Sequence, residues 1–159
     1  MSKNTELLEE ERISYLQMIQ DNISRMSTSS ALFKGFASTI VVGVASLSFK
    51  DINTIVLMLS FLPVLLFAIL DIYYLQMERK FRILYALVRT GNHEVDFDLS
   101  LPEENIIEAM YKDEKLKKIL PSRKASVKSC IKSLSISYFY IPIIIICMVI
   151  VIMKIKGII

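Results

Sequence analysis

One histidine, His93, is followed by Glu94, Asp96 and Asp98, a set of side chains with the chemistry to hold a metal ion. In an extended segment the alternation would place Glu94, Asp96 and Asp98 on one face. A metal site would need more than this. The imidazole stands alone, no helical Glu-x-x-His pairing supports it, and no glycine-punctuated calcium loop is present, so a solvated acidic loop is the expectation. With four Gly in the chain there is no glycine-rich phosphate cradle, and neither a Ser/His/Asp or Cys/His arrangement nor a zinc spacing occurs. Cys130 and Cys147 make no disulfide framework, and Cys147 lies inside an apolar run. No catalytic residue, metal ligand or cofactor is expected, and the chain reads as non-enzymatic.

Two other charges stand where charge is expensive. Lys34 falls in the first turn of an otherwise uncharged stretch, Ala31–Phe49, and Asp71 closes a second, Ile52–Leu70. An ionisable group at a membrane boundary is a functional-site hypothesis by default. The plainer reading makes Asp71 a structural partner for Lys34 or for the hydroxyls of Ser27–Ser30. A third set follows Asp71. Glu78 and Arg82 are an i,i+4 pair in the favourable order, and Arg79, Lys80 and Arg89 add a basic face. Met77, Phe81, Leu84, Tyr85 and Val88 form an apolar stripe at helical spacing. Glu78, Arg79, Lys80, Phe81, Arg82, Tyr85 and Arg89 thus define a candidate surface for anionic lipid headgroups or for a protein partner.

The elements that must position these residues are set by hydropathy. Of 159 residues, 53% are hydrophobic, and the mean hydropathy of +0.49 is too high for an ordinary soluble domain of this size. Charge is segregated rather than absent. Three stretches are long enough to cross a bilayer: about 31–49, 52–70 and 134–153. The nineteen residues of the first span roughly 28 Å as helix, close to the ~30 Å hydrocarbon thickness. Small residues recur along it every fourth position, at Ala31, Gly35, Thr39 and Gly43, a spacing that lets helix backbones approach closely within one subunit or between subunits. The polar connection Phe49–Thr54 predicts an antiparallel hairpin, 31–75, turning about Lys50 and Asp51; residue 71 then lies across from roughly residue 30. Pro63 is expected to kink the second span without stopping it.

Residues 5–30 predict an amphipathic helix with Leu16, Ile19, Ile23 and Met26 on one stripe. Two heptads are too few for a coiled coil, and the stripe serves either packing within the subunit or an intersubunit seam. The helix after the second span should end near Thr90-Gly91-Asn92. HEVDFDL reads as a short strand or loop, and Ser100-Leu-Pro-Glu103 as a capping box opening a helix with Ile106, Ile107 and Met110 on its apolar face. Residues 76–133 are too few for an enzyme domain with its own core, and two or three short helices are expected there. The third span, 134–153, has Tyr138 and Tyr140 near the interface, and 154–159 is a tail.

Twelve Lys and Arg in 76–133 against one, Lys50, in the hairpin place the larger segment and the N terminus in the cytoplasm. The C-terminal KIKGII is then outside, with Lys154 and Lys156 on the unfavoured side unless the third helix lies partly in the interface. The basic run Lys112–Lys132 has no interleaved aromatic platform, so it reads as topogenic, and nucleic acid is not an expected partner.

The run LDIYYLQMERKFRILYALVR, with YLQMIQDNISRMSTSSALFKG upstream, resembles the RipA family of octameric bacterial membrane proteins. Leu70, Asp71, Tyr73, Tyr74, Glu78, Phe81, Arg82, Leu84 and Tyr85 match its motif, and the likeness covers roughly residues 13–90. It implies a small multi-pass protein of the bacterial cytoplasmic (inner) membrane that assembles as a homo-oligomeric ring, and it implies no chemistry. The overall expectation is an all-α integral membrane protein: a transmembrane hairpin, a second span continuing into a cytoplasmic helix, a small helical insert and a third span. Its expected partners are the lipid bilayer, further copies of itself and a cytoplasmic protein. Two functions fit: a scaffold or sensor whose cytoplasmic collar binds a partner, or a gated pore-forming effector of a stress or anti-phage defence system.

Overall fold

The computed structural model describes residues 3–48 and 53–157, and among these the regular structure is helical, with no strand. The helices are α1 (Lys3–Ser48), α2 (Thr54–Leu59), α3 (Leu62–Arg89), α4 (Glu104–Lys112), α5 (Glu114–Ile119), α6 (Val127–Ile131) and α7 (Leu134–Ile155). Three helical segments are long and apolar enough to cross a membrane, within Leu7–Ser46, Thr54–Arg89 and Leu134–Ile155. The expected turn about Lys50 and Asp51 lies outside the described residues. The chain divides into two compact units, Met1–Thr28 with Leu75–Ser129 and Ser29–Tyr74 with Cys130–Ile159, so α1 and α3 contribute to both.

In the first unit, the predicted stripe of α1 finds its partner inside the chain. Tyr15, Ile19 and Ile23, each four apart and so on one face, pack on Phe81, Leu84 and Val88 of α3. A second face of α3, Ile83 and Leu87, packs with Ile107 of α4, Leu120 and Ala125. Thus α3 is buried on two sides here, and the short helices gain stability from that contact rather than from propensity. At the end of α3 the Asn92 amide donates to the Leu87 carbonyl at 2.9 Å and the Gly91 amide to that of Val88 at 3.2 Å. With Gly91 at φ +73° this is a Schellman cap.

Residues 94–103 form no strand. Their apolar members Val95, Leu99 and Leu101 lie against the α1–α3 core, and Tyr15 donates a hydrogen bond to the Asp98 carbonyl. The capping box at Ser100 is not made, because α4 begins only at Glu104. A cap at Ser100 would require Leu101 to be helical directly before Pro102, which proline disfavours. Asp113 instead caps α5, accepting from the amides of Lys115 and Leu116 at 2.8 and 3.3 Å.

In the second unit, Phe33 packs on Phe67 and Tyr74 with ring centroids 6.0 and 5.2 Å apart, and α2 touches α7. The Pro63 expectation needs correcting. The stretch is not one kinked helix but two, α2 and α3, separated at Ser60–Phe61. Pro63 has no N–H for the Leu59 carbonyl and its ring would clash there, so the ladder stops and restarts with Pro63 in the first turn of α3. From there α3 runs unbroken to Arg89.

Candidate functional site

Asp71 is fully buried. The Ser30 hydroxyl donates to its Oδ1, and the Lys34 ammonium stands 2.6 Å from Oδ2. Lys34 also donates to the Ser30 hydroxyl at 2.8 Å. Ser30 and Lys34 are one turn apart on α1, so the helix period alone puts both toward α3. The Lys34 side chain remains 18% exposed, as expected of a long stem laid along apolar surface. The Tyr140 phenol of α7 faces the same carboxylate and reaches the Phe67 carbonyl at 3.4 Å. Three helices therefore meet at one ion pair. Each partner's charge is compensated by the other. Its chemistry is cohesive: it fixes register and depth among helices that are otherwise apolar.

Ala31, Gly35, Thr39 and Gly43 lie on the opposite, exposed side of α1. A Cβ built on Gly35 or Gly43 meets no atom within 4 Å, and the Thr39 hydroxyl is satisfied by the Gly35 carbonyl at 3.0 Å. The packed face of this half of α1 is instead Ala37, Val41 and Val44. Among the described residues, Gly35 and Gly43 face open space.

The residues after Asp71 do not form one surface. Phe81 and Arg79 are buried and Tyr85 is half-buried, whereas Arg82 and Arg89 are exposed and Glu78 and Lys80 are intermediate. Arg82 pairs with Glu78 at 2.8 Å. Arg79 donates from Nη1 to the Lys124 carbonyl at 2.9 Å and to the Ser129 hydroxyl at 3.0 Å. Sequence reasoning set Arg79 on a solvated basic face. The missed signal is its spacing, four residues before Ile83 and eight before Leu87, which puts it on their buried row. Tyr140 is 4% exposed, while Tyr138 is 76% exposed.

In the acidic loop, Asp96 Oδ1 accepts from the Asp98 amide at 3.0 Å and Asp98 Oδ1 from the Ser100 amide at 2.9 Å. The bonds from Ser100 hold the Asp98 carboxyl below its ordinary range. These carboxylates serve the loop's own backbone, and no group of three or more His, Cys, Asp or Glu that could hold a metal occurs among the described residues. Burial, reinforced by Asp96 and Asp98, pushes the Tyr15 phenol up to about 12, so it remains a hydrogen-bond donor at neutral pH.

Fold and site together define an all-helical chain with three helices suited by length and composition to a membrane, and a buried polar cluster tying such helices to one another. Comparison with protein-family models, with curated proteins and with solved structures yields no match.

Proposed function

We propose that this chain is a non-enzymatic, multi-pass protein of the bacterial cytoplasmic membrane, a homo-oligomeric scaffold or sensor whose cytoplasmic helices bind a protein partner and transmit its state to the membrane. The observation that carries this reading is the distribution of buried charge along α3. Asp71 is locked by Ser30 and Lys34 in the second unit. Arg79, eight residues on, is locked by Lys124 and Ser129 in the first. An unbroken helix with a buried charge fastened in each unit is suited to passing a displacement along its length. The partner surface falls to the exposed residues Arg82 and Arg89 rather than to Phe81, whose replacement would disturb the core.

The test compares D71N with the double variant K34M/D71L by hydrogen exchange of the full chain in mild detergent. D71N should loosen amides of 79–89 and 120–129 as well as those around residue 71, and K34M/D71L, which removes the charges as a pair, should restore them. Loosening confined to the neighbourhood of residue 71 would refute transmission through α3. Expression in cells separates the pore-forming alternative: a scaffold leaves the membrane potential untouched, whereas an effector collapses it when triggered.

A further inference from the structure

The first unit contains a cleft of about 360 Å³ whose lining includes Glu78, Arg79 and Arg82 of α3 and Ser122 and Arg123 from the segment after α5. That volume lies within the range of small-molecule sites. Three arginines against one glutamate leave the lining with an excess of positive charge, and Leu75 and Pro121 supply an apolar part.

Two of the arginines are held in place, as is the segment that bears the third. Arg79 is 5% exposed, and its two Nη1 bonds, to a carbonyl and a hydroxyl, fix the guanidinium plane while bringing no negative charge. A guanidinium has five N–H donors, more than these two bonds use. No carboxylate pairs with Arg79 among the described residues, and a buried charge without a counter-ion is costly. An anion entering the cleft would relieve that cost. Arg82 is oriented by Glu78, which accepts from its Nε and its Nη2 at 2.8 Å each. The segment bearing Arg123 is clasped from α4: the Tyr111 hydroxyl donates to the Pro121 carbonyl at 2.6 Å, and the Lys124 ammonium stands 5.8 Å from the Tyr111 ring centre. Burial pushes the Tyr111 phenol up, with Arg79 working against it.

Several guanidinium forks around one space suit an oxyanion with several oxygens. The volume, and the apolar contribution of Leu75 and Pro121, leave room for an organic group attached to it. We infer that this cleft binds a phosphate group esterified to a small organic moiety, held by Arg79, Arg82 and Arg123. A soluble phosphate ester and a phospholipid headgroup both present this chemistry. The site would give a scaffold its trigger, and it stands without the scaffold reading.

The test is a pair of titrations on the full chain in neutral detergent. One uses glycerol 3-phosphate; the other uses dihexanoyl phosphatidylglycerol below its micelle concentration, with dihexanoyl phosphatidylcholine as the zwitterionic reference. Arg82 and Arg123 are exposed, so R82Q and R123Q should fold even if R79Q does not. Each should weaken binding by about tenfold or more, the loss expected on removing a charge-assisted hydrogen bond. K115Q, a neutralisation on exposed α5 outside the cleft, should leave binding unchanged. Saturable binding of glycerol 3-phosphate with these losses identifies a soluble ester as ligand. Selective binding of the phosphatidylglycerol probe alone, with the same losses, identifies the lipid headgroup. Saturable binding of neither probe, binding indifferent to R82Q and R123Q, or an equal loss in K115Q would overturn the site.

Discussion

Asp71 and Lys34 are worth more as a pair than either is alone. Removing one partner leaves a charge stranded among apolar helices, so D71A or K34A should cost about 3–5 kcal/mol. Replacing both, as K34M/D71L, should come within about 1–2 kcal/mol of the parent, because the desolvation cost of the two ions disappears with them. Thermal unfolding of the four proteins in one detergent checks both statements. Tyr15 is a second decisive residue. Y15F loses its bond to the Asp98 carbonyl and should cost about 1 kcal/mol. Its raised phenol also sets a pH dependence. Below the ordinary value of 10.0 the phenol is protonated folded or unfolded and its contribution is fully present; it is lost as pH rises from there through the folded value of about 12. The loss should amount to on the order of 2–3 kcal/mol. Urea unfolding of the parent between pH 9 and 12 should show a steeper decline than that of Y15F.

Helix α3 shows how far one element can be read from its own residues. Its end at Arg89 and its stop at Gly91 follow from a local rule, a glycine where a left-handed residue is required; its start at Leu62 does not, because Pro63 was expected to kink the span rather than to open a helix. Gly91 at φ +73° is the position to test. G91A forces a Cβ into that conformation and should destabilise the first unit by about 1 kcal/mol, even though a Cβ there meets no neighbouring atom within 4 Å. Circular dichroism melts of G91A and the parent measure it. Which faces of α3 are covered is another matter. The Phe81–Leu84–Val88 stripe is visible in the sequence, but Ile83 and Leu87 become a second buried face only because α4 and Leu120 pack there. That contact turns Arg79 from a surface charge into an anchor.

On the scale of the molecule, the second unit leaves large apolar side chains uncovered, among them Val42, Ile55, Ile69 and Met148, each more than half exposed. A surface of this kind needs lipid or further protein against it. The small residues of α1 share in it, and a Cβ on Gly35 meets no atom within 4 Å. G35L should therefore leave the monomer's fold intact, with helix propensity slightly in its favour. If α1 packs against α1 of another copy, the same change should lower the mass of the assembly in mild detergent. Unaltered mass with unaltered stability would assign that face to lipid.

The sequence by itself determined the helical class, the three long apolar stretches and the cap at Gly91, because hydropathy, helical period and backbone conformational preference are properties of neighbouring residues. It also brought Asp71 into view as a misplaced charge, and turn arithmetic set residue 71 across from roughly residue 30, where Ser30 now donates to it. Tertiary structure alone decided that Tyr140 turns inward to that carboxylate, that Arg79 is buried on the Lys124 carbonyl, and that Tyr15 holds a loop more than eighty residues away. Each of those contacts joins segments distant in the chain. The free energy that selects them, burial of one helix face rather than another together with satisfaction of a polar group inside it, has no signature in the residues that stand next to one another.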